Sequence, residues 1–368
     1  MPALPDPPST RPTAHPATSG DTDGLVLSQR AAKALADGVP DSTRRAYTGD
    51  WQRFTTWCAH HGHEWATGPR ALAALLVEYT THLAYDRRLK PATINRALAG
   101  IAKYYRTAQA TAPDLSPARQ VIKGYTQALA ASPDSADRRL SRPRRAAAAT
   151  PDKLRRMTAA LDPATPAGKR DTAVLLLAFA TAARRSELAA LNTDDITEDE
   201  AGRGLEVAMN RRKTGTRHHV AVLYGSHPRT CPVRAWRAWY EVLTEHGLAG
   251  GPAFVRIDRH GRLAPRVRRN GRLIGDPQGR LTGEAVAEIV ARAAKNAGLN
   301  PPPGPGIPAP QWSGHSLRRG YATAARTAGQ DRLTTGRHGG WADGSSALNA
   351  YFDDGDRWDD NPLTGIGL

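Results

Sequence analysis

The sequence predicts a mainly α-helical protein with one small β-sheet, an α+β fold class. Apolar residues recur at helical spacing along most of the chain after residue 41. Two short apolar segments, 205–209 and 220–224, flank a glycine-containing turn and predict a hairpin. The length of 368 residues exceeds one typical domain, so we expect two domains, each with its own core.

Composition indicates where these domains begin and end. Residues 1–40 combine prolines with small polar residues and predict a flexible tail. Residues 41–131 predict a helical bundle. Residues 132–150, SPDSADRRLSRPRRAAAAT, are rich in arginine and lack apolar periodicity, which is typical of a basic interdomain linker. Residues 151–368 then form the second domain.

Four amphipathic helices are predicted in the first domain, the first of them capped by Ser42. Their apolar stripes are Tyr47, Trp51, Phe54 and Cys58; Leu72, Leu75, Leu76, Tyr79 and Leu83; Ile94, Leu98, Ile101 and Tyr105; and Val121, Ile122, Tyr125 and Leu129.

The second domain opens with a largely apolar run, Asp171–Ala183, that predicts a buried helix. The hairpin follows, with Lys213 near its tip. Helices are then predicted over Cys231–Glu245 and over Thr282–Ala297, with an exposed loop rich in Gly and Arg between them. Two more helices are predicted, from about residue 315 to 327 and from about residue 345 to 352.

The charge balance favours a polyanionic partner, with nucleic acid first. Lys and Arg number 51 against 35 acidic residues, which gives a net charge of +16. If coding bias alone explained the high arginine content, the positive charges would be scattered along the chain instead of clustered. Candidate phosphate contacts on the bundle and linker are Arg44, Arg45, Lys90, Arg96, Lys123, Arg144 and Arg145, each of which could equally be an ordinary solvated side chain.

Several function classes are disfavoured. The two cysteines, Cys58 and Cys231, do not form a disulfide framework and fit a reducing, cytosolic setting. No secretion signal or apolar run long enough to span a membrane is present. The histidines after Cys58 lack a second ligand pair at zinc spacing, and no phosphate-binding loop occurs. We therefore expect no metal and no cofactor.

Breaking a DNA phosphodiester without metal needs a nucleophile, cations that stabilise the charge on the phosphorane oxygens, and a proton donor. Arg184 could clamp two phosphate oxygens, with Glu187 orienting it, although a purely structural ion pair between the two is an equal reading. His315 and Arg318 lie three apart near a helix start, so both project from one face.

Taken together, ARRSEL, RRKTG, GHSLRRGYATA and GGWADGSSALNAY resemble, in order and spacing, the tyrosine recombinase or phage integrase family. The segment STRRAYTGDWQRFTTWC resembles that family's core-binding domain, so the resemblance extends from about residue 41 onward and fits the simple two-domain members. It implies an integrase-type catalytic domain, a homotetramer on double-stranded DNA with specific recombination sites, and no metal or cofactor.

By the same resemblance, Tyr351 is the nucleophile that forms a 3′-phosphotyrosyl link, and Arg184 and Arg318 bind the phosphate. Lys213 is the general acid for the 5′-hydroxyl, and His315 assists proton transfer at the nucleophile. Trp341 takes the family's histidine-or-tryptophan position, although it could equally be a packed aromatic. Arg185 and Arg212 are the alternatives if the register shifts by one residue.

Two departures from the family pattern are visible. Trp341 and Tyr351 are ten residues apart where nine is commoner, and Ala182 stands where a glycine is frequent. The predicted activity is site-specific recombination for the integration or excision of a mobile element. The alternatives are a type IB topoisomerase and a DNA-binding regulator that has lost catalysis.

Overall fold

The computed structural model describes residues 41–65, 68–107, 112–141, 145–211, 216–300 and 311–353, with Ser28, Arg30, Gly38 and Leu363. The chain divides into two compact units, residues 1–143 and 144–368. Almost all of the predicted tail, and the candidates Arg144, Arg212 and Lys213, lie outside the described residues. Within that described part, no helix is both long and apolar enough to cross a membrane.

The first unit is a helical bundle. Its helices are α1 (Asp41–His60), α2 (Pro69–Thr81), α3 (Pro91–Thr107), α4 (Ser116–Ala131) and α5 (Ser135–Ser141), and a π-helical turn, His82–Asp86, follows α2. Most residues of the predicted apolar stripes form its core, in which Phe54, Leu76, Ile94 and Ile101 are fully buried, whereas Tyr47 and Val121 lie outside this cluster. The four predicted helices are therefore confirmed, but α1 begins at Asp41, so Ser42 lies inside the helix and is not its cap.

Helix α5 lies inside the segment that composition predicts as a linker. Arg138 donates to the carbonyl oxygens of Ser132 and Pro133, both at 2.6 Å, so part of the arginine content is used to hold this short helix. None of its residues is buried, which explains why apolar periodicity could not predict it. An extended segment, residues 145–150, follows in the second unit.

The second unit is also mainly helical. Its helices are α6 (Pro151–Ala159), α7 (Pro166–Ala180), α8 (Arg185–Ala190), α9 (Pro232–Glu245), α10 (Gly283–Asn296), α11 (Gly314–Thr327), α12 (Arg332–Gly339) and α13 (Ser346–Asp353), with 3-10 turns at Thr193–Asp195 and Pro228–Thr230. The main sheet has three antiparallel strands in the order β1 (Ile196–Glu198), β2 (Gly204–Arg211), β3 (Thr216–Leu223). The predicted fold class is confirmed.

The predicted hairpin is the pair β2 and β3, with register from Gly204↔Leu223 to Arg211↔Thr216. Alternate residues, among them Val207, Met209, Val220 and Val222, enter the core of this unit. The tip that would carry Lys213 falls between the described strand ends, so its predicted position stays a prediction.

Predicted helices also differ from the structure at their ends. The helix predicted over Asp171–Ala183 corresponds to α7, which begins earlier, at Pro166, and stops at Ala180 because Ala182 adopts a left-handed conformation with φ of 49°. Helix α10 agrees closely with the prediction, and the Thr282 hydroxyl accepts from the Ala285 N–H at 3.1 Å as its cap.

The segment predicted as an exposed loop between α9 and α10 contains a second sheet. Strands β4 (Val267–Arg269) and β5 (Arg272–Ile274) form an antiparallel hairpin. All six residues are exposed, so no buried alternation marks them as strands. Asn270–Gly271 at the turn is the sequence signal that predicts such a hairpin.

Candidate active site

Arg184 lies at the N-terminus of α8, held by a carboxylate one turn ahead. Glu187 accepts from the Arg184 backbone N–H at 3.0 Å and from its Nη1 at 2.5 Å. Glu187 is buried, whereas Arg184 keeps about a third of its side chain exposed. The ion pair is therefore compatible with the predicted phosphate-binding role of Arg184, because the glutamate fixes one end of a guanidinium that still faces solvent.

The other end of α8 is fixed by Arg280. Its Nη1 donates to the carbonyl oxygens of Ala190 at 3.0 Å and Leu191 at 2.8 Å, and its Nη2 donates to Asn192 Oδ1 at 2.6 Å. These carbonyls end the helix and lack partners within it, so a guanidinium satisfies them well. Both ends of the short helix that presents Arg184 are thus held by side chains.

Arg318, on α11, is 1% exposed and lies at the centre of the site. Its Nη1 donates to the carbonyl oxygens of Ala182 and Gly339. Its guanidinium lies over the Trp341 ring, with Cζ 3.5 Å from the ring centroid. Carbonyl dipoles and the face of an indole both stabilise a cation in a site that excludes water.

Ala182, which stands where a glycine is frequent in the family, adopts a left-handed turn, and this conformation explains why glycine is common at that position. The turn reverses the chain between α7 and Arg184 and directs the Ala182 carbonyl toward Arg318. A glycine would adopt this φ without strain, whereas alanine fills the space with a fully buried methyl group. The departure in sequence therefore leaves the turn intact.

Trp341 is a buried aromatic side chain that packs against Arg318. The indole is 8% exposed and packs in a small cluster with Ala182, Ala322, Leu348 and Phe352. Its ring is also close to the Tyr351 ring, with centroids 6.2 Å apart. Trp341 therefore positions Arg318 by packing against it. The sequence left two roles open for Trp341, a phosphate contact or a packed aromatic, and the geometry favours the packed aromatic.

Gly339 provides a test of this packing. A Cβ at this position would overlap Cζ3 and Cε3 of Trp341, because the indole lies directly against the glycine. We expect Gly339→Ala to displace the indole and to lower the free energy of unfolding by ~1–3 kcal/mol. Thermal unfolding measures this. Gly250→Ala is the matched control, since a Cβ there meets nothing within 4 Å and that variant should unfold like the wild type.

His315 and Tyr351 are in direct contact. The Tyr351 hydroxyl and His315 Nε2 are hydrogen-bonded at 2.7 Å, and the two ring centroids are 6.2 Å apart. His315 is on the first turn of α11, where the Ser313 hydroxyl accepts from its backbone N–H at 3.2 Å. Tyr351 is on α13. The extra residue before Tyr351 does not prevent this contact.

The pKa of His315 is lowered from 6.5 by removal from water, and then by the charges of Arg318, Arg184 and Arg319. The imidazole is therefore neutral at pH 7 and can accept a proton. Removal from water raises the pKa of Tyr351 above 10, while Arg318 and Arg319 oppose that rise. Tyr351 is thus protonated at neutral pH and needs a base to become a nucleophile.

These pKa directions predict a pH profile. A neutral His315 is required to accept the Tyr351 proton, so the rate of covalent adduct formation should be flat from pH 7 to 8. It should fall about tenfold per pH unit once the solution is more acidic than the lowered His315 pKa, below 6.5. Single-turnover rates between pH 5 and 8 measure this. His315→Gln should lack that acid limb; an unchanged limb in this variant would assign it to another group.

The extended segment 145–150 crosses the helix that carries His315 and Arg318. The backbone N–H groups of Ala147 and Ala149 donate to the carbonyls of Gln311 at 2.7 Å and Ser316 at 2.9 Å. Arg319 donates from Nη1 to the Ala146 carbonyl. A Cβ at Gly320 would overlap the Ala149 backbone, so a glycine is needed for this close crossing. Arg145 is brought within electrostatic range of Tyr351.

The structure thus brings Arg184, Glu187, His315, Arg318, Trp341 and Tyr351 together. Arg185, the register alternative, instead pairs with Glu284 at 3.2 Å. Arg319 was missed by sequence reasoning, although its place one turn after His315 puts the two on one helix face. Tyr321, a second tyrosine near this site, stacks on His338 with centroids 5.2 Å apart, and burial raises its pKa to about 12.

The candidates on the bundle lie on its surface. Arg44, Arg45 and Lys123 are exposed, and Lys90 is half-buried. Arg96 pairs with the buried carboxylate of Asp50 at 3.1 Å, so part of its role is to hold α1 against α3. Arg145, in the second unit, is exposed.

Comparison with known proteins places these features in one family. Residues 148–357 match the phage integrase family. An integrase/recombinase XerD homolog from Selenomonas ruminantium is 28% identical over 339 residues, which cover 92% of this chain and 89% of that protein.

Solved structures agree with the fold. A lambda integrase (residues 75–356) dimer bound to a COC′ core site has a TM-score of 0.54 at 14% identity, covering 88% of this chain and 93% of that chain. XerH recombinase bound to a palindromic difH substrate has a TM-score of 0.54 at 13% identity, covering 92% and 83%. The chain belongs to the phage integrase family of site-specific tyrosine recombinases, enzymes that cleave and rejoin DNA strands.

Proposed function

We propose that this recombinase cleaves DNA by attack of the Tyr351 hydroxyl on a backbone phosphate and conserves the bond as a 3′-phosphotyrosyl ester. The hydrogen bond from Tyr351 to His315 Nε2, 2.7 Å long and surrounded by arginines, is the observation that carries this proposal. A nucleophile, a base and phosphate-binding cations then occupy one site.

The Tyr351 Oη–P bond forms while the bond from phosphorus to the 5′ oxygen breaks. The phenolic proton passes to His315 Nε2, and the leaving 5′ oxygen takes a proton from Lys213. Arg184 and Arg318 stabilise the negative charge that gathers on the phosphorane oxygens. Attack by a 5′-hydroxyl of another strand reverses these steps, so rejoining needs no ATP.

The DNA partner is proposed from the relatives. Lambda integrase and XerH were each crystallised on their DNA sites. A net charge of +16 provides the electrostatic attraction that a duplex requires. We expect this chain to act as a homotetramer that joins two duplexes at specific sites, to integrate or excise a mobile element, and to act at the nucleoid where its substrate lies.

The experiment uses end-labelled duplexes that tile the DNA flanking the coding sequence, each nicked so that cleavage releases a short fragment and traps the ester. Incubation proceeds in EDTA, followed by denaturation. We expect a labelled band shifted by the mass of the protein, and joined products when two cognate duplexes are mixed. Relaxation of a supercoiled plasmid without joined products would favour a topoisomerase. Duplex binding without any adduct would favour a catalytically inactive regulator.

A further inference from the structure

We propose that the β4–β5 hairpin is a DNA-binding arm, in which Arg269 and Arg272 together hold a backbone phosphate. This rests on the proposed function, because DNA is the polyanion that the enzyme handles. The hairpin lies between α9 and α10 and includes none of the residues proposed for catalysis. It would add a second, sequence-independent contact to the duplex.

The turn fixes the arrangement of the two arginines. Asn270 and Gly271 have φ of 50° and 76°, the two positive values that a type I′ turn requires. Arg269 and Arg272 flank this turn and are paired directly across the two strands. Side chains of a directly opposed pair leave the same face of the ribbon, about 5 Å apart at Cβ. The hairpin thus presents two guanidinium groups side by side.

This arrangement is unfavourable without an anion. Like charges directly opposite each other destabilise a strand pair. No acidic residue occurs from Arg259 to Gly275, and the acidic residues nearest in sequence, Asp258 and Asp276, pair with Arg262 and Arg280. Among the described residues, no carboxylate forms an ion pair with Arg269 or Arg272. A phosphate between them would remove the repulsion and accept hydrogen bonds from both.

The exposure of the hairpin also indicates a partner. All six strand residues are exposed, including Val267, Leu273 and Ile274 at 40–43%. A two-stranded ribbon with neither face covered is marginally stable in water, so a surface that packs against it would stabilise it. Val267 and Ile274 share the face of the arginine pair, because they lie two residues farther along each strand. A duplex groove accommodates such a ribbon while its phosphates meet the arginines.

The salt dependence of DNA binding tests this proposal. The probe is a labelled 30-base-pair duplex of arbitrary sequence, because phosphate contacts do not depend on base sequence. Affinity is measured by fluorescence anisotropy between 50 and 200 mM NaCl. We expect Arg269→Gln/Arg272→Gln to reduce the slope of log K against log salt by about 1, since one phosphate is held between the two arginines and each phosphate that the protein neutralises contributes ~0.9 to that slope. Arg269→Lys/Arg272→Lys keeps both charges and should retain most of the slope.

The matched control removes the same charge elsewhere. Arg203 and Arg237 are exposed and each pairs with a carboxylate, Asp199 and Glu198 respectively. Arg203→Gln/Arg237→Gln should leave the slope unchanged. The proposal would be overturned if the hairpin double variant kept the wild-type slope, or if the control double variant reduced the slope as much as the hairpin variant does.

Cleavage is measured separately on the nicked substrate at saturating protein and low salt. The hairpin double variant should form the adduct in wild-type yield, since the arm only adds affinity. A yield that falls at saturation would overturn the assignment to binding alone. Absence of the adduct in the wild type itself would instead count against the Tyr351 mechanism, so the two proposals fail by different results.

Discussion

Tyr351→Phe should bind duplex DNA as the wild type does and form no covalent adduct with the nicked substrate. The change removes one oxygen, the atom that would bond to phosphorus, and keeps the ring that packs beside Trp341. Loss of its hydrogen bond to His315 should cost about 1 kcal/mol of folding free energy. Adduct yield after denaturation, DNA affinity by anisotropy and denaturant titration measure the three expectations.

Tyr321→Phe is the matched control for that variant. Tyr321 contributes to the same small aromatic cluster, where its ring stacks on His338 and on Trp341. Removal of the Tyr321 hydroxyl therefore tests whether adduct formation depends on the Tyr351 hydroxyl alone or also on the other tyrosine hydroxyl of this cluster. We expect near-wild-type adduct from Tyr321→Phe. An adduct that persists in Tyr351→Phe and vanishes in Tyr321→Phe would reassign the nucleophile.

Arg318→Ala should produce the second large effect, on both stability and catalysis. Removal of this buried side chain leaves the carbonyls of Ala182 and Gly339 without this donor and leaves a cavity against Trp341. We expect a decrease of ~3–5 kcal/mol in the free energy of unfolding, measured by denaturant titration. Adduct formation should fall by at least ~10²-fold, as when a preorganised oxyanion donor is removed.

Arg337→Ala is the control for this change. Arg337 is an exposed residue of α12 whose ion pair with Asp343 spans 3.3 Å. An exposed pair contributes little, so its removal should change stability by less than ~1 kcal/mol. Arg318→Lys separates charge from geometry: it keeps the cation but loses the planar guanidinium that stacks on the indole. If Arg318→Lys forms the adduct at the wild-type rate, the stacked geometry is not needed.

The sequence predicted most of the fold because amphipathic patterns are local. The bundle helices and α10 carry buried stripes, so periodicity was sufficient to place them. Helices α5, α6, α8 and α12 were not predicted. Helices α5 and α12 lack a comparable stripe, and α6 and α8 are short, with 9 and 6 residues. The β4–β5 hairpin was missed because both of its faces are exposed, and only its Asn-Gly turn could have indicated it.

Candidate site residues could be named from motifs, whereas their contacts could not. The local sequence HSLRR does not show that the Arg318 guanidinium packs over Trp341 or donates to the Ala182 and Gly339 carbonyls. These partners are far from Arg318 in sequence. The crossing of α11 by residues 145–150, which brings Arg319 to the Ala146 carbonyl, is likewise a tertiary feature. Patterns give residue types and spacing; packing decides which side chains meet.

The most direct test of the mechanism is to locate the covalent bond. The adduct formed on the nicked substrate is digested with nuclease and protease, and the peptide that retains a nucleotide is sequenced by tandem mass spectrometry. The mechanism predicts a phosphodiester on Tyr351, with His315 and Arg318 outside the modified fragment ions. A nucleotide found on Tyr321, or on any residue other than Tyr351, would contradict the assignment of the nucleophile.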